Sequence, residues 1–232
     1  MSRVSWAVLT VLLAEASLEL VPKRLQRDRR VVRAAARRGK DPSEMLLDSS
    51  YLGPDLVRRA DPSGKRGRPD VVHRSLLALT DSPPWREGWL RIYLHTVEGR
   101  MFELEPGLRP PRSYNRFVGL MEALLRDGRV GPPDMPLIRE ADLSPAELVG
   151  RLNPDLVMGL TASGGLANPL EILDPELEEM AVVGCFPAGD FSEEIRGLFD
   201  SEVSLYEGVL SASTVASAVA WAYYVVRRWG GR

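Results

Sequence analysis

Met180-Ala181-Val182-Val183-Gly184-Cys185-Phe186-Pro187-Ala188-Gly189-Asp190 is the stretch of sequence that best indicates the fold. Its first five residues form a short apolar run, which is typical of a buried strand. Proline and glycine then predict a tight loop where that strand ends. Loops at the carboxyl ends of strands bind ligands in α/β sheets, so the same stretch is also the first candidate for a binding site.

Two further strand and loop pairs of this kind occur in the C-terminal half. A strand over 156–160 precedes the loop Thr161-Ala162-Ser163-Gly164-Gly165, and the short strand Val203-Ser204-Leu205 precedes the run Tyr206-Glu207-Gly208-Val209. Small residues let the backbone approach an adenine or a ribose closely. The three loops therefore predict a small-molecule pocket, although ordinary tight turns would produce the same pattern. The sequence has neither a P-loop nor a Gly-x-Gly-x-x-Gly motif.

Helices and strands alternate along the rest of the chain, which predicts an α/β class. The apolar run from Trp6 to Ala14 loosely resembles a signal peptide, but Glu15 and Glu19 follow at once. The apolar run 8–13 is more typical of a buried strand. The predicted strands cover residues 6–16, 90–97 and 101–104. The predicted helices cover 29–38, 70–80 and 114–126, begin at 41–44 and at 144–147, and include the C-terminal run 215–229, with 128–136 as a loop.

The net charge of −2 conceals two halves of opposite sign. Residues 1–130 hold 24 Lys and Arg against 16 Asp and Glu, whereas residues 131–232 hold 6 against 16. A basic half beside an acidic half indicates a surface that meets a polyanion. We interpret the chain as one domain, with a basic RNA-binding part (1–130) and an acidic, cofactor-binding part (131–232).

Two proline-stiffened segments concentrate the arginines. Arg66 and Arg68 lie in Gly-Lys-Arg-Gly-Arg-Pro-Asp, and Arg109, Arg112 and Arg116 lie in Leu-Arg-Pro-Pro-Arg-Ser-Tyr-Asn-Arg-Phe. Arginine grips phosphate with a planar fork, and the neighbouring Tyr114 and Phe117 have rings that can stack on an unpaired base. A solvated, salt-bridged surface is the competing interpretation.

Few other side chains suit catalysis or metal binding. Asp70 can fix the guanidinium of Arg68 or cap the helix that follows. His73 and His95 are interpreted as structural, and two histidines with the single Cys185 predict no metal site and no disulfide. No apolar run reaches the length of a membrane span.

These motifs together resemble the nucleolar-essential-protein family of ribosome-biogenesis methyltransferases, which belongs to the SPOUT class. The resemblance covers nearly the whole chain and is carried by these segments: 14–22, 38–40 with 46–51, Arg66-Gly67-Arg68-Pro69-Asp70-Val71-Val72-His73, 81–83, 109–121 and 184–191. It implies a SPOUT-type fold with a C-terminal trefoil knot and a mostly parallel sheet flanked by helices. It also implies methyl transfer from S-adenosylmethionine to ring nitrogen 1 of a pseudouridine in small-subunit rRNA, by a cytoplasmic homodimer.

The resemblance also assigns roles to residues. Arg68, Arg109, Arg112 and Arg116 are expected to contact the rRNA, and Asp70 is expected to orient Arg68 and is considered as a base. The expected cofactor contacts are Thr161, Gly164, Gly184, Gly189, Ser204, Leu205, Tyr206, Glu207, Gly208 and Val209. The chain departs from many relatives at Ala188, in the loop at 161–165 and around 211–213, which puts individual cofactor contacts in question.

Two other functions fit the same sequence. An rRNA-binding assembly factor with secondary or no catalysis needs the basic half but not the pocket. A SPOUT methyltransferase acting on tRNA, or on uridine, needs both.

Overall fold

The central strand of the sheet is Leu9–Ala16, all eight of whose residues are buried. A strand that is apolar throughout fits the interior of a sheet that helices cover on both faces. The computed structural model describes residues 7–230, and it places this strand, β1, between two parallel neighbours. Trp6, where the predicted first strand begins, lies outside the described residues.

Eight strands form one sheet in the order β4-β5-β3-β2-β1-β7-β6-β8. The remaining strands are Leu90–Thr96 (β2), Met101–Leu104 (β3), Arg129–Val130 (β4), Ile138–Ala141 (β5), Leu156–Leu166 (β6), Glu179–Gly184 (β7) and Ser201–Ser204 (β8). The five strands from β2 to β8 in this order pair in parallel, whereas β3, β5 and β4 are antiparallel. The predicted α/β class with a mostly parallel sheet is confirmed.

The helices predicted at 29–38, 70–80, 114–126 and from 144 begin within one residue of their predicted starts, whereas four shorter helices match no prediction. The helices are Arg29–Arg38 (α1), Ser49–Leu52 (α2), Pro54–Ala60 (α3), Pro69–Thr80 (α4), Pro83–Arg86 (α5), Tyr114–Asp127 (α6), Pro145–Leu152 (α7), Glu193–Arg196 (α8) and Ala212–Trp229 (α9). Helix α1 ends at Gly39 in the left-handed conformation, with φ of 61°. Helix α7 begins with the predicted capping box, in which Ser144 and Glu147 satisfy each other's backbone amides.

Successive residues of β1 point to opposite faces and divide the core in two. Leu9, Val11 and Leu13 pack with the apolar sides of α4, α6 and α9. Leu12 and Ala14 pack with residues of α7 and α8 on the other face. The C-terminal helix α9, which the sequence predicts as a core or interface helix, contributes buried residues to this core and packs chiefly against α4.

A separate apolar cluster, formed by residues between Val21 and Val57, holds helices α1 to α3 together. This cluster is tied to the rest of the protein by Glu122 of α6, whose side chain is fully buried. Its carboxylate accepts hydrogen bonds from Arg38 at 2.6 and 2.7 Å, from Lys40 and from the backbone of Leu46. Two cations and an amide thus compensate the cost of burying this charge.

Several local predictions need correction. Residues 161–165 were predicted as a loop, but β6 continues through Leu166. The strand pairs with Val203 of β8 twice, first at Leu160 and again at Gly165, with a shift in register between them. Small side chains permit this: a β-carbon at Gly164 would lie 2.6 Å from the backbone nitrogen of Val203.

Other boundaries also differ from the predictions. The helix predicted to begin at residue 41 is a single 3-10 turn, Pro42–Glu44, capped by Asp41. The predicted strand at 203–205 lies at 201–204, and the predicted loop at 128–136 begins with β4. None of the helices described is long and apolar enough to cross a membrane.

Candidate functional site

The ends of β6, β7 and β8 open into one cavity of about 820 Å³. Leu160, Val183, Val203 and Leu205 form apolar walls, and backbone from the turn after β7 closes one side. The parallel strands carry their loops to the same edge of the sheet, so segments far apart in sequence meet there. The volume lies within the usual range of small-molecule sites, on the order of 300–1,000 Å³.

The ten residues predicted to bind the cofactor fall into two groups in the structure. Seven line the cavity: Thr161, Gly184, Gly189, Ser204, Leu205, Gly208 and Val209. Gly164 packs against β8 instead, and Tyr206 and Glu207 are exposed beside the cavity. The backbone at the strand ends can therefore approach a bound ligand closely, whereas Gly164, Tyr206 and Glu207 do not line the cavity.

Helix α4 supplies the opposite side of the cavity through Arg68, Val71 and Arg74. Asp70 accepts two hydrogen bonds from Arg68, from Nε at 2.6 Å and from Nη2 at 2.8 Å, and a third from Arg74 Nη2 at 2.7 Å. The predicted fixing of Arg68 by Asp70 is present. Asp70 is not the N-cap of α4, since that position belongs to Arg68.

These contacts determine the charge state of Asp70. Hydrogen bonding from Arg68, together with the positive charges of Arg68 and Arg74, outweighs burial and lowers the pKa of the Asp70 carboxyl below its usual value. The guanidinium of Arg68 has its pKa raised chiefly by the same hydrogen bond. Both groups therefore stay ionised at neutral pH.

The other predicted RNA contacts occur on the surface that follows β3. Arg109, Arg112 and Arg116 are all exposed. Arg112 pairs with Asp81 at 3.0 Å, whereas Arg109 and Arg116 form no ion pair with any residue in the described range. Arg66 is committed elsewhere, because its guanidinium hydrogen-bonds to the fully buried Glu19.

His73 supports the segment that carries these arginines. Its Nε2 hydrogen-bonds to the carbonyl of Pro111 at 2.7 Å, and its ring stacks on Phe117 with centroids 4.4 Å apart. The prediction that Phe117 can stack on a base is wrong, because its side chain is fully buried. Tyr114 is half-buried, and its hydroxyl donates to Asp48 at 2.6 Å.

The remaining candidate side chains do not face the cavity as reactive groups. Cys185 follows Gly184 but is buried in the core, and burial raises the pKa of its thiol to about 12. His95 lies within β2, and burial lowers the pKa of its imidazole. Among residues 7–230, no group of three or more His, Cys, Asp or Glu is arranged to hold a metal ion.

The prediction from sequence omitted several residues that line the cavity, including Arg74, Phe186 and Asp190. A signal for Arg74 existed: it follows Asp70 by four residues and so lies on the same side of a helix. Phe186 carries no such signal, since its position depends on how the turn after β7 folds back. Ala188, a departure from many relatives, also lines the cavity.

The chain is similar to proteins of one named family over most of its length. A family model described as EMG1/NEP1 methyltransferase matches residues 11–223. A protein named ribosomal RNA small subunit methyltransferase Nep1 from Staphylothermus marinus is 41% identical over 214 residues, which is 91% of this chain and 93% of that relative. The protein of the same name from Thermococcus kodakarensis is 41% identical over 215 residues, covering 91% and 96%.

A solved structure shares the fold. The crystal structure of Archaeoglobus fulgidus Nep1 bound to S-adenosylhomocysteine matches with a TM-score of 0.84 at 36% sequence identity. The match covers 96% of this chain and 99% of the other.

Proposed function

The chain belongs to the EMG1/NEP1 methyltransferase family, and from that premise we propose that it methylates ring nitrogen 1 of a pseudouridine in small-subunit rRNA. It is an S-adenosylmethionine-dependent methyltransferase of small-subunit rRNA. We propose pseudouridine as the target base, its ring nitrogen 1 as the methyl acceptor, and the residue contacts that follow.

One observation carries the proposal. Arg68 is the first of the four arginines proposed to contact RNA, and it also lines the cavity at the strand ends. A base held by Arg68 would therefore lie beside whatever the cavity holds. This proximity is what a transfer between a bound small molecule and an RNA base requires.

The cavity suits S-adenosylmethionine by the chemistry of its walls. Apolar side chains from β6, β7 and β8 fit an adenine ring, and Thr161, Ser204 and Ser211 offer hydroxyl groups. A β-carbon at Gly184 would meet the ring of Phe186 at 2.8 Å, so the wall depends on glycine there. We propose that Thr161, Gly184, Gly189, Ser204, Leu205, Gly208 and Val209 contact the cofactor.

When bound, the cofactor would supply a methyl group attached to a sulfonium. The sulfur leaves as a neutral thioether and needs no protonation. The protein has mainly to align the ring nitrogen and favour loss of its proton. Arg68, held by Asp70, places a fixed positive charge at the cavity, and such a charge favours the deprotonated ring. The target base is extruded from its loop to reach this charge.

Asp70 serves as a positioning residue in this scheme. Its lowered pKa makes it a weak base at neutral pH, and its two oxygens already accept three hydrogen bonds from Arg68 and Arg74. Solvent is therefore the proposed acceptor of the nitrogen's proton.

The finer organisation follows the same family. We propose a cytoplasmic homodimer with a knotted C-terminal part. Residues 1–130 bind the rRNA and residues 131–232 bind the cofactor. Trp221 of α9, half exposed beside Leu77 and Ala78 of α4, supports an interface between copies on this side. Aromatic residues such as tryptophan are enriched in interfaces between subunits.

A short rRNA hairpin carrying either pseudouridine or uridine at the target position tests the proposal. We expect labelled methyl transfer to the pseudouridine hairpin and none to the uridine hairpin. Equal transfer to both would overturn the choice of nitrogen, since uridine lacks a free N1. A tRNA substrate in the same assay tests the tRNA alternative.

Calorimetry with S-adenosylhomocysteine separates the enzyme from an assembly factor without catalysis. We expect saturable binding with one site per chain. No binding, in a protein that still binds the hairpin, would favour the assembly factor.

A further inference from the structure

Glu15 occupies an unusual backbone conformation at the carboxyl end of β1. Its φ is 49°, in the left-handed region that residues other than glycine rarely adopt. The pairing of β1 with β2 shifts register between Leu13 and Ala16, so Glu15 lies in an irregularity of the central strand. Strained residues of this kind cluster at functional sites, where the surrounding structure holds them.

The carboxylate of Glu15 joins two segments that the sequence keeps far apart. It accepts a hydrogen bond from the ammonium of Lys65 at 2.8 Å and one from the backbone nitrogen of Ser192 at 3.2 Å. The side chains of Glu15 and Lys65 are largely buried, with 12% and 18% exposed. A shielded pair of this kind is screened less by salt than a surface pair.

Lys65 also contacts the wall of the cofactor cavity. Its ammonium lies 4.8 Å from the centre of the Phe186 ring, a cation–π contact, and Phe186 lines the cavity. A β-carbon added at Gly189 would lie 3.5 Å from the Cε of Lys65, and one at Gly64 would lie 3.6 Å from Ala188. The segment 63–65 therefore packs along the turn 186–189.

The same segment is held rigidly on its other side. The carboxylate of Asp61 accepts hydrogen bonds from the backbone nitrogens of Ser63, Lys65 and Arg66 at 2.9 to 3.1 Å. This fixes the backbone from which the Lys65 side chain extends. The turn 186–189 consequently rests on a preorganised support.

We infer that Lys65 is a positioning residue for cofactor binding: paired with Glu15, it holds Phe186 and the turn 186–189 in the shape that closes the cavity. The inference rests on the proposed function. It assigns Lys65 to the cofactor side, although Lys65 lies in the same basic loop as Arg66 and Arg68. A phosphate contact by Lys65 is the alternative outcome of the test.

The test is calorimetry with S-adenosylhomocysteine in the absence of RNA, on the full chain. Lys65→Met roughly keeps the length of the side chain and removes its charge. We expect it to raise the Kd for S-adenosylhomocysteine about tenfold, because the variant loses one partly desolvated cation–π contact and one ion pair. Lys65→Arg should restore most of the affinity. In turnover assays, KM for the methyl donor should rise while kcat at saturating donor stays within about twofold.

Arg58→Met is the matched control, since Arg58 also pairs with an acid, Asp55, but the pair is exposed and neither residue lines the cavity. It should leave the Kd unchanged. If Lys65→Met fails to fold, Glu15→Gln tests the same ion pair from its other partner. It should also raise the Kd. The double variant should cost less than the sum of the two, as expected for residues in contact.

An unchanged Kd in Lys65→Met or Glu15→Gln would overturn the inference. So would a loss confined to hairpin binding, with a smaller dependence on salt, because that result makes Lys65 a phosphate contact. Failure of the proposed function looks different: the unaltered protein itself would not bind S-adenosylhomocysteine.

Discussion

Asp70 holds the guanidinium of Arg68 by two parallel hydrogen bonds, 2.6 and 2.8 Å long, on the first turn of α4. Bidentate pairs of this geometry fix the direction of an arginine as well as its charge. Since Arg68 lines the cavity, Asp70 determines where that positive charge stands relative to a bound methyl donor.

Asp70→Asn should release Arg68 without removing it. Asparagine accepts a hydrogen bond but carries no charge, so the bidentate ion pair is lost. We expect methyl transfer at low RNA concentration to fall about tenfold and the Kd for S-adenosylhomocysteine to stay constant. A single-turnover assay and calorimetry measure the two quantities, and a loss of cofactor affinity equal to the loss of rate would contradict the assignment.

Arg112→Ala should weaken RNA binding and leave stability intact. Arg112 is 80% exposed and pairs with the exposed Asp81, so this ion pair contributes little to folding. The slope of log K against log salt concentration should decrease by about 0.7 to 0.9 for one lost phosphate contact. Filter binding with the hairpin at several salt concentrations measures this slope. The control is Arg139→Ala, because Arg139 is an exposed residue of β5 that pairs with the partly exposed Glu103 of β3. An equal effect there would mean that general charge is responsible.

Glu122→Gln should destabilise the fold by about 3 kcal/mol, because the variant leaves Arg38 and Lys40 without their buried counter-charge. Urea unfolding measures the difference in the free energy of unfolding. Glu140→Gln is the control: Glu140 pairs with Arg100 near the surface, and its loss should cost less than about 1 kcal/mol. Equal losses in both variants would show that burial of Glu122 is unimportant.

Glu179 at the start of β7 should make stability depend on pH. Burial, together with the nearby Asp174 and Asp155, raises the pKa of its carboxyl from 4.5 to about 7 despite a hydrogen bond from Asp174. The folded state therefore binds more protons than the unfolded state between pH 4.5 and 7. Stability from this group is complete below pH 4.5 and is lost as the pH rises through 7.

Glu179→Gln should remove that dependence, because glutamine accepts the hydrogen bond from Asp174 but does not ionise. Relative to the unaltered protein, the variant should gain on the order of 3 kcal/mol between pH 4.5 and 8. Unfolding in urea across this range measures the gain. Glu147→Gln serves as the opposite case, since hydrogen bonds from the backbone and hydroxyl of Ser144 lower the pKa of Glu147. If the free energy of unfolding changed with pH in the same way in both variants, the predicted direction of the Glu179 effect would be wrong.

The sequence by itself determined the elements and their class. Apolar runs, caps and glycine punctuation located the starts of α1, α4, α6 and α7 to within one residue and the start of β1 to within three, because these signals are local. The same local signals misread residues 161–165 as a loop. Whether small residues end a strand or let it bend and pair again depends on the neighbouring strand, here Val203 of β8.

Site residues divide in the same way. The pair Arg68 and Asp70 was predictable because the two residues are only two positions apart, and Gly189 because the turn after β7 holds it at a φ of 94°. Tertiary structure alone decided that Phe117 is buried and that Arg66 hydrogen-bonds to the buried Glu19. It also decided that Lys65 pairs with Glu15 and lies against the ring of Phe186. Contacts between segments 50 to 120 residues apart follow from how helices and strands pack, and packing depends on the whole apolar surface rather than on any local pattern.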